Sequence, residues 1–197
     1  MKEFWNQRFR SEAYVYGTIP NVFFKEQLDK LQPGHLLLPA EGEGRNAVYA
    51  AQQGWEVTAV DISEAGRDKA LRLAQIKGVE IEYHLGSFGE RDLPISHFDC
   101  IGLVFAHFPP NMRIAFHQKV IQLLKPGGTL ILEGFSKEQL SYQSGGPKKE
   151  AILFSVSELK KEFSNLAEIE ANQKLIELKE GTFHEGTASV VRFVGRK

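Results

Sequence analysis

The apolar residues of this chain fall into short runs that alternate with amphipathic stretches. Runs typical of buried strands lie at residues 35–39, 55–60, 79–84, 98–105 and 128–134. Helical spacing of apolar positions marks residues 44–53, 64–77 and 112–124, and residues 86–96 are typical of a loop. Strands that alternate with helices indicate βαβ units, so the pattern predicts an α/β protein with a parallel sheet.

The last third of the chain changes this pattern. A short helix is predicted over Ser155–Phe163, and Ser155 or Ser157 would cap it. Strands are predicted over Leu166–Leu178 and Thr187–Val194. The seven or eight residues between them are too few for a helical crossover and favour an antiparallel hairpin. The polar, glycine-containing segment Ser136–Glu150 is predicted to be a loop, either a substrate lid or a flexible connection.

Residues 1–34 mix aromatic and charged side chains at helical spacing on both sides of a Gly17–Pro20 break. This composition predicts an appended helical segment that packs on the core. Neither a repeat nor a linker interrupts the sequence, so residues 1–197 are expected to form a single domain.

Two glycines and a spaced aspartate form the most informative motif. Glu41-Gly42-Glu43-Gly44 follows the first apolar run, and Asp61 ends the second. Glycines allow a sharp turn and a close approach of the backbone to a ligand, and an aspartate can accept two hydrogen bonds from a ribose. Ligands of open α/β sheets bind beyond the carboxyl ends of the strands. The motif therefore predicts a nucleoside-cofactor site.

Charge distinguishes two cofactors for this site. Residues 42–47 also fit the G-x-G-x-x-A dinucleotide fingerprint, in which a pyrophosphate binds at the helix N-terminus. Glu41 and Glu43 would repel that anion, and Arg45 would offset only part of the repulsion. The methionyl end of S-adenosylmethionine carries an ammonium and a sulfonium. The glutamates therefore favour the methyl donor, and an NAD-linked oxidoreductase remains the alternative.

Net charge and residue composition limit the partners and the cellular compartment that we expect for this protein. The 24 basic and 25 acidic residues give a net charge of −1, which argues against nucleic-acid or membrane partners. The single cysteine, Cys100, lies in an apolar run and is expected to be a buried, inert thiol of a reducing compartment. The N-terminus lacks a signal-peptide pattern, so a cytoplasmic location is expected. No zinc-type ligand spacing is present, and no metal is predicted.

These features together resemble the class I S-adenosylmethionine-dependent methyltransferases, in particular the small proteins related to tellurite-resistance and thiopurine-type enzymes. The resemblance rests on Leu37–Asn46, Val60–Ser63, Phe98-Asp99 and Leu124–Gly128. It implies a Rossmann-like, doubly wound sheet of seven strands, mostly parallel with an antiparallel C-terminal strand. It also implies S-adenosylmethionine as cofactor and S-adenosylhomocysteine as product. Pro39-Ala40 departs from the family's Gly-Cys or Gly-Ser pair, so contacts there must come through carbonyls.

The resemblance also implies where the cofactor binds. The methionyl arm is expected near residues 40–46, the ribose at Asp61, and the adenine beside the loop that contains Ser87 and Phe88, with residues 1–34 covering the site. For Phe88 and Phe105, packing in the core is the alternative. The predicted cofactor-binding residues are Ala40, Glu41, Gly42, Gly44, Arg45, Asn46, Asp61, Ile62, Ser63, Ser87, Phe88, Phe105 and Ala106.

The catalytic residues are less certain from the sequence. His107, just past the fourth strand, is a candidate general base, and Tyr16 a candidate aromatic face for the sulfonium; a purely structural role is the alternative for each. The expected function is methyl transfer to a small acceptor: a thiol, a metalloid oxyanion or a polar metabolite. A non-catalytic cofactor-binding module is the second alternative. The sequence leaves open whether the chain is a monomer or a homodimer.

Overall fold

A seven-stranded sheet forms the centre of the molecule in the computed structural model, which describes residues 1–197. The strand order is β3-β2-β1-β4-β5-β7-β6. The strands are β1 (His35–Pro39), β2 (Glu56–Asp61), β3 (Glu82–Leu85), β4 (Phe98–Val104), β5 (Leu124–Phe135), β6 (Ala167–Lys179) and β7 (Glu185–Arg196). Strand β7 pairs antiparallel with both β5 and β6, while β1 to β5 pair in parallel. The predicted, mostly parallel sheet with an antiparallel last strand is confirmed.

Six α-helices connect or flank these strands. They are α1 (Lys2–Arg8), α2 (Val22–Leu28), α3 (Arg45–Gln52), α4 (Glu64–Lys77), α5 (Pro110–Leu123) and α6 (Val156–Glu162). The predicted helices lie where the apolar spacing indicated, and α6 begins with a capping box in which Ser155 and Glu158 bond each other's backbone. Between β3 and β4 there is only the 3-10 turn Phe88–Glu90, as the loop-like sequence predicted.

The start of β5 was predicted four residues too late. The sequence suggested a Pro-Gly-Gly turn before a strand at 128, but the strand begins at Leu124. The reason is tertiary: Gly127 N–H donates to the carbonyl of Lys197 at 2.6 Å, and Lys197 N–H donates to that of Gly128 at 2.9 Å. The chain end therefore pairs with the segment that local propensity marks as a turn.

The two faces of the sheet bury separate cores, because neighbouring residues of a strand point to opposite faces. Leu37 of β1 packs in a core that includes Phe116 of α5 and Leu159 of α6. Leu36 and Leu38 pack on the other face, with Phe24 of α2 among their partners. No helix in the structure is long and apolar enough to span a membrane.

Candidate cofactor and active site at the carboxyl edge of the sheet

Three of the parallel strands are followed by unusual backbone conformations at one edge of the sheet. Ala40 after β1 and Phe105 after β4 have φ values of 56° and 50°, and Gly86 after β3 has a φ of 142°. Positive φ is unfavourable for residues with a Cβ, and such strain concentrates at functional sites. The N–H groups of Ala40 and Phe105 donate to carbonyls of the adjacent strands at 2.7 Å, which holds the turns in place. This edge is also where the sequence predicted the cofactor.

The two motif glycines meet different requirements. Gly44 has a φ of 85°, and a Cβ there would lie 2.5 Å from the Cβ of Ala70, so this glycine allows α3 to pack on α4. Gly42 has a φ of 64°, and a Cβ there would lie 3.1 Å from the ring of Phe9. The N-terminal segment therefore packs directly on the glycine loop.

Glu41 caps helix α3 from outside the helix. Its Oε1 accepts the N–H of Asn46 at 2.9 Å and that of Ala47 at 2.8 Å. These first-turn N–H groups are the ones that a dinucleotide pyrophosphate would need. The glutamate was predicted to line the cofactor cavity with free charge; instead, its carboxylate already occupies the helix N-terminus. The preference against a dinucleotide holds for a different reason from the one the sequence suggested.

The burial of Glu41 predicts a pH dependence of stability. Burial raises the pKa of this carboxyl to about 7, above the ordinary value of 4.5. Because the folded chain then binds more protons than the unfolded chain, stability falls as pH rises from about 4.5 to 7, by at most about 3 kcal/mol. Glu41→Gln keeps an acceptor oxygen and should flatten this slope and raise the melting temperature at pH 8. Thermal unfolding from pH 5 to 8 measures the slope of stability against pH, and Glu12→Gln, at an exposed position, is the control. A slope that is unchanged in Glu41→Gln would show that the Glu41 carboxyl does not cause it.

Glu43 holds the segment between α1 and α2, residues 9–21, which we call the strap. Its Oε2 accepts the N–H of Val15 at 2.9 Å and that of Tyr16 at 3.3 Å, and it forms a buried ion pair with Lys69. Lys69 in turn donates to the carbonyls of Ser11 and Ala13. The carboxylate is therefore neutralised by protein groups and is not free to attract a cationic ligand.

Loosening this contact should free the strap. Glu43→Gln removes the charge that the two N–H groups and Lys69 share, and hydrogen bonds to a charged group stabilise by about 1.5–3 kcal/mol. Hydrogen exchange at Val15 and Tyr16 should become at least tenfold faster, while the amides of β4 keep their protection. Equal protection of the strap in the variant and the parent chain would show that Glu43 does not hold it.

Asp61 has the features expected of a ribose ligand. Its Oδ2 accepts the N–H of Gly42 at 3.0 Å and its Oδ1 that of Ser63 at 2.8 Å. It takes part in no salt bridge, and burial raises its pKa. A carboxylate has about four acceptor positions, so two backbone donors leave it able to bind further hydroxyl groups. Vicinal ribose hydroxyls match that need, and the site therefore fits the nucleoside half of the predicted cofactor.

Four other predicted cofactor ligands direct their side chains to protein groups. Arg45 pairs with Glu180 at 2.9 Å and donates to the carbonyl of Tyr16. Asn46 accepts the N–H of Asn21, and Ser63 caps α4 and donates to Asn6. The ring of Phe88 lies in the core, 4.4 Å from that of Phe116. These four side chains thus bond or pack against protein groups of α1, the strap, the β6–β7 hairpin and the core, and contact of these residues with the cofactor remains a prediction.

The remaining predicted ligands lie along the same edge. Ile62 follows Asp61, Ser87 precedes the 3-10 turn, and both are half-buried. Phe105 and the buried Ala106 follow β4, and Phe105 packs 4.6 Å from Phe135. Together with the backbone of Ala40, Gly42 and Gly44, these residues keep their prediction as cofactor contacts.

His107 is not available as a general base. Its Nδ1 bonds the carbonyl of Ile152 at 3.0 Å, and its Nε2 accepts the N–H of Phe135 at 3.0 Å. Burial lowers its pKa to about 4. Since both ring nitrogens bond the backbone, the side chain joins β5 to the segment before α6. The prediction of a catalytic His107 is corrected to a structural role.

His184 presents the free imidazole nitrogen that His107 lacks. It lies at the tip of the β6–β7 hairpin, and its Nδ1 is 3.1 Å from Oε2 of Glu180. The hydrogen bond from His184, together with the charge and hydrogen bond of Arg45, lowers the pKa of Glu180 to about 2 despite its burial, so this carboxylate is ionised and can only accept. Nδ1 therefore carries the proton, and no protein group forms a hydrogen bond with Nε2. Burial lowers the pKa of His184, which keeps the ring neutral at neutral pH.

Aromatic rings surround His184. Its ring centroid is 4.5 Å from that of Tyr16, 4.6 Å from Phe105 and 5.2 Å from Phe135. Gly145, in the loop predicted as a lid, lies so close that a Cβ would be 2.9 Å from the imidazole. Tyr16, the candidate aromatic face for the sulfonium, therefore lies beside His184.

The topology explains the position of His184. Strand β6 runs in the same direction as β1 to β5, so its end and the hairpin tip lie at the carboxyl edge of the sheet. The sequence placed His184 at the tip of the predicted hairpin, and the pairing of β7 between β5 and β6 brings Glu180 of that tip next to Arg45.

Comparisons with known proteins agree with this architecture. Residues 39–128 match the family model of a methyltransferase domain. A probable thiol methyltransferase 2 from Arabidopsis thaliana is 31% identical over 145 residues, 72% of this chain. The chain spans 62% of the length of that relative.

Solved structures share the fold at low sequence identity. TehB from Haemophilus influenzae superposes with a TM-score of 0.75 at 16% identity, covering all of this chain and 66% of TehB. A protein studied for the conversion of a disulfide bond into a thioacetal group in echinomycin biosynthesis gives a TM-score of 0.78 at 17% identity, covering 100% of this chain and 92% of that protein. A Burkholderia thailandensis N1-methyltransferase with bound S-adenosylhomocysteine gives a TM-score of 0.65 at 19% identity, covering 89% and 78%. Residues 39–128 thus match a methyltransferase domain, and the chain is similar in sequence to a thiol methyltransferase and in fold to solved methyltransferase structures, in agreement with the predicted class I S-adenosylmethionine-dependent fold.

Proposed function

We propose that this protein transfers a methyl group from S-adenosylmethionine to a small thiol. The observation that carries the proposal is the Glu180–His184 pair, which presents a neutral imidazole nitrogen inside an aromatic enclosure at the carboxyl edge of the sheet. When bound, S-adenosylmethionine supplies a methyl group on a positively charged sulfur, and S-adenosylhomocysteine remains after transfer. Such a reaction needs alignment of donor and acceptor more than it needs further chemistry from the protein.

Each element of the edge has a task in this proposal. Asp61 binds the ribose hydroxyls, and Ser87 lies beside the adenine. The backbone of Ala40, Gly42 and Gly44 borders the methionyl arm. The rings of Phe105 and Tyr16 face the sulfonium, which their negative faces attract. The N-terminal segment, held by Glu43 and packed on Gly42 through Phe9, covers the cofactor.

His184 acts on the acceptor. A free thiol has a pKa near ~8.5 and is a weak nucleophile while protonated. Nε2 of His184 accepts the thiol proton, and Glu180 stabilises the imidazolium through the Nδ1–H bond, an arrangement typical of general-base catalysis. The ring then releases the proton to solvent.

The groups around His184 also indicate the chemistry of the acceptor. Two guanidinium groups lie near His184: Arg45 is paired with Glu180, and Arg8 donates to the hydroxyl of Tyr16 and packs 3.8 Å from the ring centroid of Phe183. The aromatic rings offer an apolar, polarisable surface to the acceptor, which suits a soft sulfur atom better than a multiply charged oxyanion. The thiol methyltransferase relative supports the same class.

A turnover screen tests the proposal. The protein would be incubated with S-adenosylmethionine and with hydrogen sulfide, 2-mercaptoethanol or thiophenol, the last two paired with their oxygen analogues ethylene glycol and phenol. S-adenosylhomocysteine release and the methylated product would be measured by mass spectrometry. We expect methyl thioethers or methanethiol, and turnover of the oxygen analogues at least 100-fold slower.

Three outcomes would overturn the proposal. Methylation of selenite or tellurite without methylation of any thiol would assign a metalloid acceptor. Tight binding of S-adenosylhomocysteine without turnover of any acceptor would favour a non-catalytic module. Calorimetric affinity for NADH and none for S-adenosylhomocysteine would favour an oxidoreductase.

A further inference from the structure

Strand β6 is a long, uncovered edge of the sheet. It runs over Ala167–Lys179, thirteen residues, and only one of its sides pairs, with β7. Ile169 and Leu175 expose 56% and 60% of their surface there. Proteins usually shorten or cover such an edge, because its free N–H and C=O groups can pair with another chain. We therefore expect another polypeptide strand to pair with this long edge and to cover its two exposed aliphatic side chains.

The side chains of β6 are arranged symmetrically about Asn172. Glu170 and Lys174 lie two residues on either side of it, and Ile169 and Leu175 lie three residues on either side. In an antiparallel pairing of two identical strands about Asn172, each Glu170 is opposite Lys174 of the other copy. Each Ile169 is likewise next to Leu175 of the other copy. Both the charges and the apolar side chains are complementary in this one register.

We propose that β6 pairs with β6 of a second copy of this chain, antiparallel and centred on Asn172. The two copies are related by a two-fold axis, so every contact occurs twice, as in most soluble homodimers. Residues 170–174 pair regularly with β7, whereas a bulge interrupts the ladder between Glu168 and Glu170. The regular segment is thus the part of β6 that is straight enough to accept a second strand.

Other registers match fewer of these side chains. A symmetry centre between Asn172 and Gln173 places Glu168 opposite Glu177 of the other copy, which is a like-charge pair. A centre at Ala171 pairs Glu168 with Lys174, but Glu168 lies beyond the bulge. A centre between Leu175 and Ile176 pairs Lys174 with Glu177 but leaves Ile169 and Glu170 without an opposite residue of β6. The register centred on Asn172 is therefore the one that both pairs opposite charges and covers the two exposed aliphatic side chains.

Sedimentation velocity over 1–100 μM tests the proposal, and it does not depend on the proposed methyl transfer. The parent chain should sediment as a dimer. Lys174→Glu places a glutamate opposite Glu170 in both pairs and should weaken the dimer Kd about tenfold or more. The double variant Glu170→Lys, Lys174→Glu reverses both charges and should restore the parent Kd.

Lys179→Glu is the matched control, because it makes the same charge change at the end of β6, where the proposed register leaves no opposite strand residue. It should keep the parent Kd. A parent chain that is monomeric at 100 μM would overturn the proposal. So would a Lys174→Glu variant that dimerises as tightly as the parent, or a double variant that does not recover.

Discussion

Replacement of His184 by asparagine is expected to lower kcat for thiol methylation by about 10²–10⁴-fold, the usual contribution of a positioned general base. Affinity for S-adenosylhomocysteine should stay within about twofold, because the imidazole faces the acceptor rather than Asp61. Stopped assays of product formation and calorimetric titration measure the two quantities. The variant's melting temperature should be recorded, since His184 also contacts Glu180 at the hairpin tip.

His117→Asn provides a matched control. His117 is equally buried and pairs with Glu162 at 2.6 Å, but it lies between α5 and α6, away from the carboxyl edge. This variant should lose stability without a comparable loss of kcat. Equal losses of kcat in both variants would mean that the effect of His184→Asn comes from destabilisation.

The pH profile gives an independent test of the base. Burial lowers the pKa of His184 below its ordinary value of 6.5, so the ring is neutral and able to accept a proton at pH 7. The rate should fall as pH decreases through the pKa of His184, because the protonated ring cannot accept the thiol proton. Glu180→Gln removes the charge that stabilises the imidazolium and thereby raises the pKa of His184, so the variant should shift this fall to lower pH while reducing kcat. An acid limb that is identical in the parent and in Glu180→Gln would exclude the pair from catalysis.

Replacement of Asp61 by asparagine is expected to raise the Kd for S-adenosylhomocysteine about 10- to 150-fold. This range corresponds to the ~1.5–3 kcal/mol that a hydrogen bond to a charged group contributes. The asparagine keeps the shape of the side chain but only one acceptor oxygen, so one of the two backbone N–H groups, of Gly42 or Ser63, loses its hydrogen bond. The melting temperature of the variant therefore has to be compared with that of the parent chain. Calorimetric titration measures the change in Kd.

Asp99→Asn is the control for this substitution. Asp99 lies near the start of β4, at the opposite edge of the sheet, and accepts the N–H of His35 at 2.8 Å. It should bind S-adenosylhomocysteine like the parent chain. If Asp61→Asn also binds like the parent, Asp61 does not hold the ribose.

Local patterns were sufficient to predict most elements of this fold. The alternation of apolar runs and helical stretches located all seven strands and the helices α3 to α6 to within a few residues. The start of β5 was the main error, because Leu124 pairs with Phe98 of β4, and Gly127 and Gly128 pair with Lys197 at the far end of the chain, so the local sequence gives no signal of either partner.

The site was harder to predict than the fold. Sequence position correctly placed Asp61 and Tyr16 at the carboxyl edge, but it could not show what their neighbours bond. The polar residues that flank the glycines were expected to face the ligand: Glu41, Glu43, Arg45 and Asn46. In the structure their polar atoms instead form hydrogen bonds or ion pairs with α3, the strap and the β6–β7 hairpin. Which polar side chains remain free depends on long-range partners, and those partners were not visible in the sequence.

A crystal structure with S-adenosylhomocysteine tests the central claim most directly, since it locates both halves of the ligand at once. The account predicts ribose hydroxyls hydrogen-bonded to Asp61, adenine beside Ser87, and the ligand's sulfur facing the enclosure of Tyr16, Phe105 and His184. Ribose bound away from Asp61, or a sulfur that points away from His184, would contradict it.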